Sequence, residues 1–265
     1  MAIDTKDVQE LRRSTGAGVL DCKRALEAAG GDLAKAAAWL REQGLVQSAK
    51  RAERESAQGA VAVANLASGA AVVALQCETD FVAKSDDFVN LAGDLAHLVA
   101  EKGEEAASEL AGDVERLRLA LKENIVVGQV VRFEAADGTV LDTYLHVQND
   151  RGVNGVLVEV AGAGAELAHD VALHIAHMRP RWIGRDEVPP ERVEAERAVL
   201  ETLTRNEGKP EAAVPKIVEG RLRGFFGQPG VALLDQPFVK DAKRTVGAVL
   251  GDASVTRFAQ VEIGG

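Results

Sequence analysis

The sequence predicts an α+β protein with three parts: an N-terminal helical unit, a core of two α+β subdomains with small antiparallel sheets, and an inserted antiparallel helical hairpin. The first 44 residues repeat apolar side chains at helical spacing. After Gly59, short apolar runs bounded by turn residues alternate with amphipathic helical segments, a pattern typical of small antiparallel sheets covered by helices. The 265 residues are 46% hydrophobic and 27% charged, which is the composition of a globular chain of one to two domains.

Residues 1–45 are predicted to form the helical unit. Asp4 is placed to cap a first helix that Gly16 ends, and a second helix is expected from Val19 to Ala29. Asp32 begins a third helix, which is expected to end before Gly44. Residues 46–58 are polar and rich in charge, and we interpret them as an exposed helical linker.

The core is predicted to consist of residues 59–140 and of residues 141–186 together with 227–265. The first part begins with a β-hairpin with Gly69 in its turn, followed by a helix; the second ends in a strand that completes a second sheet. Two ten-residue segments, 91–100 and 167–176, share five identical positions. Chance similarity of alanine-rich helices and descent of two related subdomains both remain open as explanations.

Two amphipathic helices are expected in residues 187–226, which interrupt the second part of the core. Pro189 and Pro190 open the first helix, and Gly208-Lys209-Pro210 turns the chain. Apolar residues at helical spacing on both segments predict one shared seam, which makes an antiparallel helical hairpin.

Charge and apolar content exclude several classes of protein. Asp and Glu outnumber Lys and Arg by 41 to 31, giving a net charge of −10, and this excess repels phosphate backbones and acidic lipids. We therefore expect neither a direct nucleic-acid partner nor a membrane partner. The first residues, MAIDTKDVQE, lack the apolar stretch of a signal peptide, so a cytoplasmic location is expected.

The residue types of enzyme chemistry do not assemble into a known motif. There is no GxxxxGK[ST] phosphate loop and no GxSxG nucleophile elbow. Cys22 and Cys77 lie in apolar patterns and are expected in the core. His169, His174 and His177 do not share one helix face, so no metal site and no cofactor are expected. A metal- or histidine-dependent enzyme of unknown substrate remains the alternative hypothesis.

A short segment between an apolar strand and a helix has the chemistry of a partner-binding loop. It consists of Thr79, Asp80, Phe81 and Val82. A small acidic residue beside an aromatic ring, in a loop between rigid elements, suits insertion into a groove of another protein. In the other interpretation, Phe81 packs under its own helix and Asp80 caps that helix.

Five segments resemble motifs of the elongation factor Ts family and follow one another in the order of that family. They are STGAGVLDCKRAL (14–26), CETDFVAKSDDF (77–88), ALHIAHMRP (172–180), KIVEGRLRGFF (216–226) and QPFVKD (236–241). The resemblance implies a UBA-like three-helix domain in residues 1–45, a core of two α+β subdomains and an inserted coiled coil. Members similar to the enterobacterial type continue into a further helical module, which is expected to be absent here.

The resemblance also implies a function and a set of binding residues. The family members are guanine nucleotide exchange factors for the GTPase elongation factor Tu in protein synthesis, and they have no catalytic residues of their own. Thr79 through Val82 would displace Mg²⁺ so that GDP leaves, and Lys23, His174 and Val239 would make further partner contacts. A homodimer or a 2:2 complex with elongation factor Tu is left open.

Two alternatives accompany this assignment. Lys23 follows Cys22 on a helix whose inner face carries Cys22 and Leu26, so its side chain is expected to point outward. An outward lysine is either merely solvated or docks on an acidic surface of elongation factor Tu. A small helical domain is also compatible with an adaptor that binds ubiquitin-like proteins.

Overall fold

The computed structural model describes residues 4–15, 17–51 and 54–264, with side chains for all of these except 44–51. Gly16, which was expected to end the first helix, therefore lies outside the described residues. The α+β prediction is confirmed: the described chain combines helices with small antiparallel sheets.

The N-terminal unit packs three helices around a small core. Side-chain oxygens of Asp4 and Asp32 accept bonds from backbone N–H groups two and three residues on, each at 3.0 Å, which supports the predicted helix starts. The helices are α1 (Thr5–Thr15), α2 (Val19–Ala28) and α3 (Leu33–Arg51). Their buried core consists of Leu11, Cys22, Ala25, Leu26 and Ala36.

Helix α3 is longer than predicted. The expectation that it ends before Gly44 is wrong, because the helix continues to Arg51 and so covers the first residues of the expected linker. A glycine inside a helix costs about 1 kcal/mol relative to alanine but does not remove a backbone hydrogen bond, so it weakens a helix without terminating it.

The first sheet is an antiparallel sheet with the strand order β1-β2-β3. The predicted hairpin is confirmed, with Leu66 paired to Gly69 at its turn. An amphipathic helix covers one face of the sheet, and a second helix, absent from the sequence prediction, lies between that helix and the third strand. In chain order the elements are β1 (Gln58–Leu66), β2 (Gly69–Cys77), α4 (Asp80–Ala83), α5 (Asp86–Lys102), α6 (Ala111–Leu121) and β3 (Val126–Glu134).

The second sheet has the order β4-β5-β8 and is closed by the last strand, as predicted. The helix after β5 covers this sheet as α5 covers the first, and the two similar ten-residue segments lie in these two equivalent helices. In chain order the elements are β4 (Thr139–Gln148), β5 (Arg151–Ala161), α7 (Ala165–Met178), α8 (Pro190–Asn206), α9 (Val214–Phe226), β6 (Pro237–Phe238), β7 (Asp241–Thr245), α10 (Val246–Leu250) and β8 (Ser254–Glu262).

The two sheets pack face to face, with one helix layer outside each. The layer between them is apolar and contains Val61 and Val72 from the first sheet and Leu157 and Val261 from the second. Gly155 lies in this layer, where an added β-carbon would be 2.7 Å from methyl carbons of both Val61 and Val72. The absence of a side chain at Gly155 therefore lets β5 approach the first sheet closely.

Helices α8 and α9 form the predicted antiparallel hairpin. Pro190 occupies the first turn of α8, and the seam is apolar. At its base, the hairpin packs on Trp182, Val231 and Ala232 of the second subdomain. The fully buried part of the seam comes from Val188, Val214, Val218, Leu222, Phe225 and Phe226.

Candidate partner-binding site

The Thr79–Val82 segment is an ordered turn rather than an open loop. Thr79 has extended backbone angles, φ −120° and ψ 153°, and its hydroxyl oxygen accepts a bond from the Val82 N–H at 3.4 Å. Residues 80–83 then form the single turn of α4, and Ala83 at its end is buried. The N-terminal cap is thus Thr79 and not Asp80, which the sequence had suggested as one alternative.

Phe81 projects from this turn into solvent. Phe81 is 81% exposed, more than any other large hydrophobic residue in the described part of the chain, and the interpretation in which it packs under its own helix is wrong. Val82 is half-buried against the first core. The Lys84 ammonium lies 5.5 Å from the centre of the Phe81 ring, within the range of a cation–π contact.

Asp80 presents a negative charge beside the ring. Its carboxylate pairs with Lys84 at 2.7 Å. The side-chain hydrogen bond from Lys84 lowers the pKa of Asp80 below its ordinary value, and the positive charges of Lys84 and Arg151 act in the same direction. Asp80 is therefore ionised at neutral pH.

Glu123, which the sequence analysis did not select, accepts three hydrogen bonds from this segment. One carboxylate oxygen accepts from the N–H groups of Glu78 at 3.1 Å and Thr79 at 3.0 Å. The other accepts from the Thr79 hydroxyl at 2.5 Å. A lone glutamate 44 residues downstream gives no local sequence signal for such a contact.

Lys23 lies on the exposed side of α2, as expected from the burial of Cys22 and Leu26. Two apolar side chains share that side: Val19 is 51% exposed and Leu20 is 72% exposed. The exposure of Leu20 agrees with its position two residues before Cys22, whereas Val19 is exposed although its spacing of three from Cys22 favours the inner face. Lys23 therefore stands in a mixed apolar and basic patch.

His174 is not available for direct contact, which corrects the expectation that its side chain touches a partner. The imidazole is fully buried; its Nδ1 accepts from the Val239 N–H at 3.2 Å and its Nε2 donates to Gln236 at 3.0 Å. The ring stacks on Phe238 with the centroids 5.7 Å apart. Burial lowers the pKa of His174, which keeps the ring neutral, although the bond to Gln236 opposes this shift.

Val239, in contrast, is accessible. Its side chain is 38% exposed, and it borders a groove of about 790 Å³ whose lining includes His177, Arg179 and Arg151. His174 thus fixes the backbone of the residue that the family resemblance selects.

A succession of contacts connects these residues. Asp21, on α2 beside Lys23, pairs with Lys122 at 3.3 Å, and Lys122 precedes Glu123, which bonds to Thr79. Arg151 acts electrostatically on Asp80 and also lines the groove beside Val239. The Asp21–Lys122 pair and the Glu123–Thr79 bond thus connect the helix that carries Lys23 to the Thr79–Val82 turn, while His174 lies beneath Val239.

His174 and His169 are both engaged in bonds within the protein. Both ring nitrogens of His174 are engaged, and His169 is bonded to Asp142 at 3.1 Å. In the part of the chain that the structure describes, no group of three histidine, cysteine or acidic side chains is placed to bind a metal ion. Within the same residues, no helix has the length and apolar character that a membrane span requires.

Comparisons with known proteins agree with the sequence motifs. Residues 78–265 match the family model described as elongation factor TS. The chain is 45% identical over 268 residues to an elongation factor Ts of Mycobacterium ulcerans and 43% identical over 275 residues to one of Thermobifida fusca, with 97% of each chain covered in both cases. An elongation factor Ts of a Nocardioides strain is 44% identical and covers 99% of this chain. This degree of identity over nearly the full length, together with the motifs and the α+β core, shows that the chain belongs to the elongation factor Ts family.

Proposed function

We propose that this protein is the guanine nucleotide exchange factor for elongation factor Tu during protein synthesis in the cytoplasm. It binds the GDP form of that GTPase, displaces the Mg²⁺ ion and promotes release of GDP, so that GTP can bind. It does so by binding alone, without catalytic residues of its own. Family membership supports the partner, and the exposed Phe81 is the single observation that supports the mechanism.

An exposed phenylalanine on an ordered turn is suited to insertion. Burying such a side chain contributes about 1.5–3 kcal/mol, and Phe81 does not use this free energy in the unbound protein. The capped turn limits the conformations of the ring, so little entropy is lost when it enters a groove. The free energy of burial is then available for rearranging the partner.

The target of that rearrangement is the Mg²⁺ site of the partner. Mg²⁺ requires near-ideal octahedral geometry with ligands at about 2.0–2.1 Å, so a small displacement of its ligands weakens its binding. Loss of the ion leaves the phosphates of GDP without their main counter-charge. Asp80, ionised next to Phe81, adds a negative charge that disfavours retention of the anionic nucleotide.

Thermodynamic linkage explains how the factor is released from its partner. A factor that weakens GDP binding must itself bind the nucleotide-free partner more tightly than the loaded one, by the same ratio. Incoming GTP then weakens binding of the factor and releases it. In this proposal Lys23 and Val239 add contacts that are common to both states, and His174 acts by fixing the backbone of Val239.

The test is release of a fluorescent GDP analogue from elongation factor Tu with and without this protein. We expect acceleration by the wild type, and Phe81→Ala should lower the accelerated rate tenfold or more, about 1.4 kcal/mol in the activation free energy. Val199→Ala, which removes an exposed apolar side chain from the helical hairpin, is the matched control and should retain the rate. Full activity of a folded Phe81→Ala variant would refute the insertion mechanism, and no acceleration by the wild type would refute the function.

A further inference from the structure

We infer that Glu123 is a positioning residue for Phe81: it fixes the turn from which the ring projects, and it links that turn to the N-terminal helical unit. This inference rests on the proposed function. Glu123 itself does not carry the contact with the partner.

The Thr79 hydroxyl is oriented by its hydrogen bond to Glu123. A hydroxyl has one proton, and in this structure that proton is donated to Glu123 at 2.5 Å. The hydroxyl oxygen therefore presents only lone pairs to the Val82 N–H, from which it accepts a hydrogen bond at 3.4 Å. Phe81 lies between the two residues of this cap, so the orientation that Glu123 imposes on Thr79 determines how the turn begins.

Two backbone hydrogen bonds also tie this segment to Glu123. The N–H groups of Glu78 and Thr79 both donate to the same oxygen of Glu123. Hydrogen bonds to a carboxylate are stronger than those between neutral groups, and Glu123 is half-buried. The strand end that leads into α4 is thus tied to the side chain of Glu123.

The neighbours of Glu123 keep it in place. Lys122 adopts a left-handed backbone conformation, φ 59°, and pairs with Asp21 of α2 at 3.3 Å. On the other side, the Asn124 N–H donates to the Glu78 carboxylate at 2.7 Å. The Asn124 side-chain amide donates to the Arg54 carbonyl at 2.8 Å, and the backbone carbonyl of Asn124 accepts from the Ser56 hydroxyl at 3.0 Å.

Residues 122–124 therefore contact the helical unit, the segment that follows it and the turn that carries Phe81. A strained non-glycine residue such as Lys122 persists only where surrounding contacts impose it. The arrangement gives Glu123 a fixed frame, and it places Lys23 and Phe81 in a defined relation to each other.

The first experiment measures the turn in the unbound protein. Glu123→Ala should raise the hydrogen-exchange rates of the Val82 and Ala83 amides about tenfold or more, because both amides donate their hydrogen bonds to oxygens of Thr79. Amides in the buried part of α5 should keep their protection. Glu109→Ala, which removes an exposed carboxylate paired with Lys102, is the matched control and should leave the turn unchanged.

The second experiment connects the turn to nucleotide release. Glu123→Ala should lower the maximal rate of GDP release from elongation factor Tu about tenfold in the wild-type background and less than about twofold in the Phe81→Leu background. Glu123→Gln keeps an acceptor oxygen and should give an intermediate rate. Thr79→Val, which replaces the hydroxyl with a methyl group, should reproduce the defect even if Glu123→Ala folds poorly.

The outcomes separate the inference from the function on which it rests. If the wild type does not accelerate release, the proposed function fails, but the exchange rates of the turn still report on Glu123. If the wild type is active and Glu123→Ala costs the same factor in both backgrounds, or leaves the Val82 amide protected, the positioning role is overturned.

Discussion

Lys23 carries its charge on the outer side of α2, next to the exposed Val19 and Leu20. Apolar contacts of this kind mainly affect the dissociation rate of a complex, whereas an exposed charge mainly affects the association rate. The two contributions of the patch can therefore be separated kinetically.

For Lys23→Glu we expect a slower association with elongation factor Tu and little change in dissociation. The defect should shrink as salt is raised, because charges are screened beyond about 8 Å at physiological ionic strength. Stopped-flow association rates at several salt concentrations measure this. Lys6→Glu on α1 changes the net charge equally and serves as the control. Equal association rates for Lys23→Glu and wild type at low salt would show that Lys23 is merely solvated and does not dock on the partner.

His174 makes the stability depend on pH. Burial lowers its pKa in the folded state below the ordinary value of 6.5, so the unfolded chain binds a proton that the folded protein does not. The contribution of neutral His174 is thus fully present above pH 6.5 and is lost as the pH falls towards the lowered value. Protonation of Nδ1 would also remove the acceptor of the Val239 N–H.

The corresponding prediction concerns urea unfolding at pH 7.5 and pH 5.5. His174→Gln should lower the free energy of unfolding at pH 7.5, by about 1–3 kcal/mol for a buried bonded group, and should reduce the further loss on acidification. His169→Gln, at an exposed histidine, should keep the wild-type loss. Identical pH dependence of the wild type and His174→Gln would show that His174 does not titrate in this range.

At the level of single residues, the sequence predicts what local patterns determine. The outward direction of Lys23 follows from the burial of Cys22 and Leu26 three to four positions apart. The contact of Glu123 with Thr79 and the burial of His174 depend on residues 44 and 62 positions away, and no local pattern contains them. The family motif marks the segments that matter but does not tell a contact from a supporting residue.

The helical hairpin is an element with its own core. Its seam shares no residue with the cores of the two subdomains or with the layer between the sheets. Its base packs on Trp182, Val231 and Ala232 of the second subdomain. Its stability is therefore separable from that of the two sheets.

Replacing residues 194–220 with a short Gly-Ser linker, which keeps Val188 and Phe225 at the base, should leave the core folded. The entropic cost of closing a flexible loop changes by only about 0.6 kcal/mol for each doubling of its length, so the linker itself is tolerated. Calorimetry should show the main transition within a few degrees of the wild type. Cooperative loss of both sheets on deletion would mean that the hairpin is part of the core.

Helix boundaries were less predictable than the elements themselves. Gly44 does not end α3, because the low helix propensity of a single glycine is overridden within a long helix. Helix α6 was not predicted, although Val114, Leu117 and Leu121 repeat at helical spacing and pack against the first core. The six long strands of the described chain, with apolar runs and clear turns, were predictable, whereas the short strands β6 and β7 were not, because β7 is polar and exposed throughout.

For the whole molecule, the contact between the two sheets is the structural centre. Because the layer is closely packed at Gly155, any added atom must separate the sheets or displace Val61 and Val72. Gly152 of the same strand acts in the same way, since an added β-carbon there would lie 2.1 Å from the Val61 carbonyl oxygen.

Gly155→Ala should destabilise the protein by about 1–3 kcal/mol, because overpacking forces neighbouring side chains from their positions. Gly93→Ala in α5 is the matched control: an added β-carbon there meets nothing within 4 Å, and the helix should gain about 1 kcal/mol. Thermal unfolding of both variants measures the contrast. A Gly155→Ala variant as stable as the wild type would show that the layer can expand without cost.

The order of the strands also has a consequence for synthesis on the ribosome. The first sheet is complete once β3 has emerged, whereas β5 receives its second neighbour, β8, only about a hundred residues later. At translation rates of about 5–20 residues per second, the apolar edge of β5 stays unpaired for on the order of 5–20 s. An open strand edge is a template for pairing with other chains, so the nascent second subdomain passes through an aggregation-prone interval about twice as long as that of the first, in which β2 waits about 50 residues for β3.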